Sequence, residues 1–387
     1  MTKMLRFFIW GGLLIGLTSC GPKAPETPPI VTPPPPIIKP LPPVVAPLPP
    51  TAPTPKSHKI GLLLPLSGPH ADLGQGLLDA AELALFEGES SSITLIPQDT
   101  AQGAHLAAQK ALDDGAELLL GPIFASEVEK VKPLLATRKA NLICFSTDQT
   151  IASQGVYVLG FLPSQQIERV VAYAKEKGLT KIAALTPEDQ YGKLIDQTLR
   201  HLETQGKIHL LGITHYEKGD ILDGNPGNAR LLEEVMLYKS KGVEAFLIPE
   251  GGENLALLMR LLGPQGSLKM LGSGQWDAPE TLSIPGLEGG LFASTSPEGR
   301  ENFEVRFQKA YGHPPPRIAG LAYDAIALAI ALADKGYTSD NLNFSQGFAG
   351  TEGLFRLTPQ GLNERGLAVL EVNPSGLRVV SPAPQSF

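Results

Sequence analysis

The sequence predicts an α/β protein of two lobes, each a doubly wound parallel sheet, joined by a hinge that the chain crosses several times. Three observations predict it. Short apolar runs alternate with segments of helical periodicity through most of residues 57–335. The runs are apolar at successive positions, as in strands buried on both faces. The alternation also restarts near residue 160 in similar order, without a close residue-level repeat.

Taken in order, Lys59–Leu66 is an apolar strand ending in Ser67-Gly68-Pro69, and the next segment sets Leu73, Leu77, Ala80, Ala81 and Ala84 at helical spacing. "SITLIPQDT" is a strand, and "GAHLAAQKALDDG" a helix closed by Gly115. "AELLLGPIF" ends in Gly121-Pro122 and leads into the helix "ASEVEKVKPLLATRK", then the strand "NLICFSTD". After "GVYVLGFLPSQQ" come a helix over 165–177, the strand "KIAALTP", a helix over 191–204 and the strand "IHLLGITHY". A further helix ending at Lys241, the strand "AFLIPE", another helix and "KMLGSGQW" complete the second series. "GLFAST" and the helix "GLAYDAIALAIALADKG" are expected to return to the first lobe, and "EGLFRLTP" and "GLAVLEVNPSG" to finish the second. The expected first lobe is thus 57–162 plus 292–338, and the second 163–291 plus 339–380.

The N-terminal stretch has a different logic. Lys3 and Arg6 precede an apolar segment from Phe7 to Leu17, followed by Thr18, Ser19 and Cys20. A positive start, a short apolar core and small residues form a secretory signal over 1–19. The apolar core is too short for a membrane-spanning helix, which needs about 20 residues. Its loss removes two positive charges and takes the formal net charge from −7 to −9. An acidic balance argues against nucleic acid as a partner. Residues 20–56 form a lead in which positions 22–56 carry 16 of the 36 prolines. Such a stretch favours polyproline II and can reach on the order of 110 Å.

No catalytic constellation emerges: G-x-S-x-G, H-E-x-x-H and Walker A patterns are missing from the sequence. His209 and His215 are expected on one face of "IHLLGITHY", separated by roughly 20 Å, too far to share a metal. Asp113-Asp114 and Glu233-Glu234 are sequence neighbours on helices and do not face each other. Cys144 reads as a buried strand residue with no disulfide partner once Cys20 is acylated. No enzyme activity, cofactor or metal is expected.

Leu17-Thr18-Ser19-Cys20 resembles a bacterial lipobox, which implies that Cys20 carries a lipid and anchors the chain to a membrane. The order "IGLLLPLSGP", "LLLGPIFASEV", "LICFSTD", "PEDQYGK", "FLIPEGG", "LGSGQW" and "AYDAIALA" resembles the type I periplasmic binding-protein fold of the leucine/isoleucine/valine-binding proteins. Within it, the lipobox, the proline-rich lead and "IGLLLPLSGPHADLGQGLLDAAELALF" look most like the penicillin-binding protein activator lipoproteins. The resemblance implies a non-enzymatic adaptor of peptidoglycan synthases on the periplasmic face of the outer membrane. Gly21, where aspartate would favour inner-membrane retention, agrees with that placement. The alternative it implies is a solute receptor of a branched-chain-amino-acid-type ABC transporter with an altered ligand.

The fold also implies a ligand cleft at the C-terminal ends of the strands, where unpaired N–H groups collect. Carried onto this chain, the candidates are Ser67, Gly68, Gly121, Pro122, Ser126, Ser146, Thr147, Tyr191, Glu250 and Trp276. Ser67, Ser126, Ser146 and Thr147 suit helix capping equally. Amino-acid-binding relatives hold the ligand ammonium with acids at positions that here are Pro163 and Gly274 or Gln275. An ordinary α-amino acid is therefore disfavoured, with Glu250 able to compensate.

Overall fold

The computed structural model describes residues 57–387 apart from 90, 91, 223, 265 and 267. The signal segment, Cys20 and the proline-rich lead lie outside the described residues.

The first lobe opens with β1 (His58–Leu64), α1 (Ala71–Glu87), β2 (Ile93–Asp99), α2 (Ala104–Asp113) and β3 (Leu118–Leu120). It continues through α3 (Ala125–Arg138), β4 (Asn141–Cys144) and β5 (Val156–Val158). The five strands form a parallel sheet in the order β2-β1-β3-β4-β5. Side-chain alternation explains the apolar run of β1: Ile60, Leu62 and Leu64 enter the core under α1, while Leu63 enters the opposite core under α2 and α3. In α1 the spaced residues Leu77, Ala80, Ala81 and Ala84 are buried as the periodicity requires.

The second lobe runs through α4 (Pro163–Glu176), β6 (Lys181–Pro187), α5 (Gln190–Thr204), β7 (His209–Tyr216) and α6 (Gly227–Ser240). β8 (Ala245–Leu247), α7 (Gly252–Leu262), β9 (Lys269–Gly272) and β10 (Leu291–Ser294) follow. Pro163 is the first residue of α4, two residues ahead of the expected start, because proline's missing N–H costs nothing there. From Ser296 the chain returns to the first lobe with α8 (Pro297–Tyr311) and α9 (Ala319–Leu332), followed by α10 (Ser339–Leu342). α9, apolar apart from Tyr323 and Asp324, is buried against α1 in the first lobe's core, as expected. β11 (Phe348–Gly350), β12 (Gly353–Leu357) and β13 (Asn363–Arg365) form a small antiparallel sheet. β14 (Ala368–Asn373) and β15 (Gly376–Ser381) complete the larger sheet, ordered β15-β14-β10-β9-β8-β6-β7.

Two expected lobe assignments change. Leu291–Ser294, expected in the first lobe, pairs in parallel with β9 and antiparallel with β14 in the second sheet. Its four buried residues suit the centre of either sheet, so composition could not place it. "EGLFRLTP", expected in the second lobe, lies in the small sheet instead, where Phe355 and Leu357 join the first lobe's core. The two histidines of β7 also part. Leu211 is bulged out between Leu210 and Gly212, so Leu210 and Ile213 share one core. His215 faces α5 and bonds Asp196, while His209 lies on the opposite side of the strand.

Gly121 has φ +85°, and a Cβ there would lie 2.1 Å from the Leu63 carbonyl oxygen. Gly121→Ala is therefore expected to lower stability by about 2–4 kcal/mol. Urea denaturation checks it, and an unchanged midpoint would refute the close-packed turn.

Candidate ligand-binding site

The C-terminal ends of β1, β2, β3 and β4 share one edge of the parallel first sheet. At the end of β2, Asp99 organises two of the turns there. Its Oδ1 accepts from Leu66 N (2.9 Å) and Ala101 N (3.0 Å), and its Oδ2 from Ser67 Oγ (2.6 Å). The Ser67 hydroxyl, helped by these backbone donors and opposed by burial, holds the carboxyl below the ordinary aspartate range. Asp99 was not among the expected site residues, although an aspartate before a turn at a strand end is a readable signal. Ser67 precedes a short helical turn but makes no capping bond, and the residue preceding α3 is Phe124, not Ser126. Ser146 is buried and accepts from Asp148 N (3.1 Å), which makes it a turn former.

The first-lobe candidates thus fall into two groups. Ser67 and Ser126 line a depression of about 410 Å³ with Thr100, Phe124 and Glu127 on the β2 side. Gly121, Pro122, Ser146 and Thr147 follow β3 and β4, Thr147 being exposed. Gly68 is exposed at the tip of its turn. Cys144 is buried, and burial pushes its thiol up to about 12, so it is inert at neutral pH.

On the second lobe, Tyr191 and Glu250 follow β6 and β8. Tyr191 donates to Ser273 Oγ (2.9 Å), and burial raises its pKa. Glu250 is 8 % exposed, and Asn254 Nδ2 donates to it at 3.2 Å. The fully buried Tyr216 hydroxyl sits against the Glu250 carboxylate. Burial and the neighbouring Glu250 carboxylate raise it far above an ordinary tyrosine. Trp276 departs from its expected role. It is fully buried in the second lobe's core beside Phe292, and the Cβ-less face of Gly272 makes room for it. Gly274, where relatives were expected to carry an acid, donates its N–H to Gln166 Oε1 (2.9 Å), and the same glutamine amide fills the space a side chain would need.

Between the lobes lies a network that sequence reading did not find. Asp277 Oδ2 accepts from Ser294 Oγ (2.7 Å), Arg317 Nη2 (3.0 Å) and Arg300. Burial acts to raise this carboxyl, but the two arginines override it and hold it below the ordinary range. Arg317 also bonds Glu352 Oε1 (2.9 Å), whose other oxygen accepts from Thr295 (2.7 Å). Arg365 donates to Glu352 O (2.9 Å) and Leu159 O (3.2 Å). Asp324 accepts from the backbone of Thr351 and Glu352, and burial pushes it up to about 6 despite the nearby Arg365 charge. The ion-paired charges lie 23 to 40 positions apart and Arg365 reaches a carbonyl 206 positions away, so no local motif announces them. Among the described residues no group of three or more His, Cys, Asp or Glu is placed to hold a metal. A larger cavity of about 890 Å³ lies elsewhere, between α4, α5 and the β12–β14 connections.

The raised Asp324 pKa has a defined consequence. A carboxyl higher in the folded than in the unfolded chain contributes most below the unfolded value, and the contribution fades as pH rises through about 6. Asp324→Asn lacks this titration. The stability gap between wild type and variant is therefore expected to be widest near pH 4 and to shrink by on the order of 2–3 kcal/mol by pH 7.5. Urea midpoints across that range measure it, and a gap independent of pH would refute the assignment.

The comparisons with known proteins agree with this geometry. The periplasmic binding protein family profile matches residues 57–354. The solved branched-chain amino acid ABC transporter periplasmic ligand-binding protein of Burkholderia xenovorans superposes with a TM-score of 0.67 at 16 % identity, over 86 % of this chain and 94 % of that one. The leucine-binding protein LivK of Thermotoga maritima gives 0.61 at 19 % identity, over 84 % and 98 %. The penicillin-binding protein activator LpoA of Haemophilus ducreyi is 24 % identical over 216 residues, 53 % of this chain and 35 % of that protein. An uncharacterised protein of Rickettsia prowazekii is 23 % identical over 164 residues, 42 % of this chain and 44 % of that one. The match thus spans less than half the length of each of these two curated relatives. By profile and by fold, this chain belongs to the periplasmic binding protein family.

Proposed function

We propose that the chain is a non-enzymatic solute receptor whose cleft takes a polar ligand bearing a positive group. One observation carries this reading: Glu250 is a buried carboxylate at a strand end, with the Asn254 amide and the Tyr216 hydroxyl beside it. A buried carboxylate so sparsely bonded gains most from a cation. The first-lobe turns after β3 and β4 supply N–H and hydroxyl groups for the ligand's acceptor end. Gln166 occupies the space beside Gly274, so the ammonium's place moves one strand along, to Glu250. That shift disfavours an ordinary α-amino acid and favours a ligand with a differently placed amino group. The folds of the Burkholderia and Thermotoga proteins support transport as the setting. Lipidation at Cys20 would keep such a receptor at a membrane surface of the periplasm.

A second reading is an adaptor that activates a peptidoglycan synthase from the outer membrane. The likeness to the Haemophilus activator and the long proline-rich lead favour it.

Thermal melts with amino acids, amino-terminal peptides and polyamines test the receptor. Stabilisation of about 2.7 kcal/mol is expected at a free ligand concentration of 100 times Kd. Glu250→Gln is expected to weaken that ligand by roughly 30-fold or more. A panel without any shift, together with recovery of a synthase by mild crosslinking in envelope extracts, would sink the receptor in favour of the adaptor.

A further inference from the structure

We propose that a depression of about 440 Å³ at the start of β5 binds a primary ammonium group. It goes beyond the cleft reading, because it lies at the N-terminal edge of the first sheet and uses none of the cleft residues. Gln154, Tyr157, Ser339, Asp340, Asn343 and Pro359 line it. Three stretches bring them together: the turn into β5, α10 with the residue after it, and the β12–β13 connection. Asn141, the first residue of β4, ties α10 to the sheet. Its Nδ2 donates to Tyr337 O (2.7 Å), and Ser339 Oγ donates to its Oδ1 (3.5 Å).

Two of the lining side chains are polar, enclosed and unbonded. Tyr157 is 1 % exposed, and its hydroxyl makes no hydrogen bond among the described residues. Val156 and Val158 enter the core under α2 and α3, whereas Tyr157 and Leu342 of α10 share the core under α1. The phenol therefore points to the side of β5 on which α10 packs. Asn343 Oδ1 is buried and likewise has no partner among the described residues. Enclosed acceptors without donors are costly, and a ligand that brings N–H groups removes that cost.

Charge selects among ligand classes. Asp340 is the only charged residue lining the depression, and it forms no ion pair among the described residues. α10 does not need it as a cap, because Thr338 Oγ1 already accepts from Asn341 N (3.4 Å). An anion would meet Asp340 with no cation on the lining to offset it. A primary ammonium brings one positive charge and three N–H donors. Those donors match the Asp340 carboxylate, Asn343 Oδ1 and the Tyr157 oxygen. A quaternary ammonium answers the charge alone and leaves both enclosed acceptors unbonded.

Two-dimensional amide NMR titrations of the full chain test the proposal residue by residue, with butylamine, tetramethylammonium, butanol and acetate as probes. Butylamine alone is expected to give saturable shifts at Gln154, Tyr157, Ser339, Asp340 and Asn343. Asp340→Asn should weaken it by roughly tenfold and Tyr157→Phe by roughly fivefold. The same spectra show that each variant folds, and Asp340 is exposed, so its substitution leaves the core untouched. Glu250→Gln should leave these shifts unchanged, so failure here and failure of the cleft reading are told apart. N-acetyl-lysine amide separates two sources of the same group. Binding no tighter than butylamine supports a free amine, and tighter binding supports a lysine of a partner chain. No shift at these residues, an equal response to tetramethylammonium or butanol, or an affinity unchanged in Asp340→Asn would overturn the assignment.

Discussion

The two-lobed architecture depends on one buried cation. Arg365, 8 % exposed, sits where the chain makes its last passage between the lobes. Burying a guanidinium costs several kcal/mol unless its donors and its charge are matched. Here two of its three nitrogens are matched by backbone carbonyls, one of them 206 positions away, while Nε has no partner among the described residues. Leu159 O belongs to the first passage and Glu352 O to the small sheet, while Phe161 and Phe355 lie 5.4 and 5.2 Å from the guanidinium. The Asp324 and Glu352 carboxylates supply the balancing charge. One side chain thus fastens the first and third passages into one hinge, and Asn363 adds bonds to Val158 O (2.8 Å) and Gly160 O (2.9 Å).

Asp277 plays the matching part for the middle passage. It ties Ser294, at the end of β10, to Arg300 in α8 and to Arg317 before α9. Arg317 in turn stacks over Phe161 (4.6 Å) and reaches Glu352, which joins the two nodes. The floor of the cleft is therefore occupied by ion pairs that the protein makes with itself. Three arginines face three carboxylates there, so the floor has little net charge to offer. In the receptor proposed above, charge recognition comes from the walls, where Glu250 and the first-lobe turns lie.

How much of this was legible in the sequence follows from how far each feature reaches along the chain. Strands and helices were readable because burial on both faces and 3.6-residue spacing are local patterns, as in β1 and α1. β10 was misassigned because four buried residues between turns carry no mark of which sheet they join. Trp276 was misread because resemblance places a residue along the chain but not its side chain. The bulge at Leu211 reversed the expected relation of His209 and His215, since one extra residue inverts alternation without changing composition. Asp99 had a local signature that went unused, whereas Arg365 and Asp277 had none: their partners are separated from them by up to about two hundred positions.

The same reasoning bears on why the acid moved. At the strand end after β9, Gly274 lies against Gln166, whose Oε1 accepts the glycine N–H. Gln166 belongs to the first turn of α4, immediately after the passage that Arg365 fastens. A Cβ at 274 would lie 2.2 Å from the Gln166 amide, so an acid there would require that side chain to move and give up its bond to the 274 N–H. Placing the carboxylate at Glu250, one strand over, keeps that bond: β8 neighbours β9 in the sheet. There the Tyr191–Ser273 bond braces the adjoining turn. In the proposed receptor, the ligand then bridges a different span from that of an α-amino acid. That receptor's ligand choice is thereby coupled to the packing of the first hinge passage.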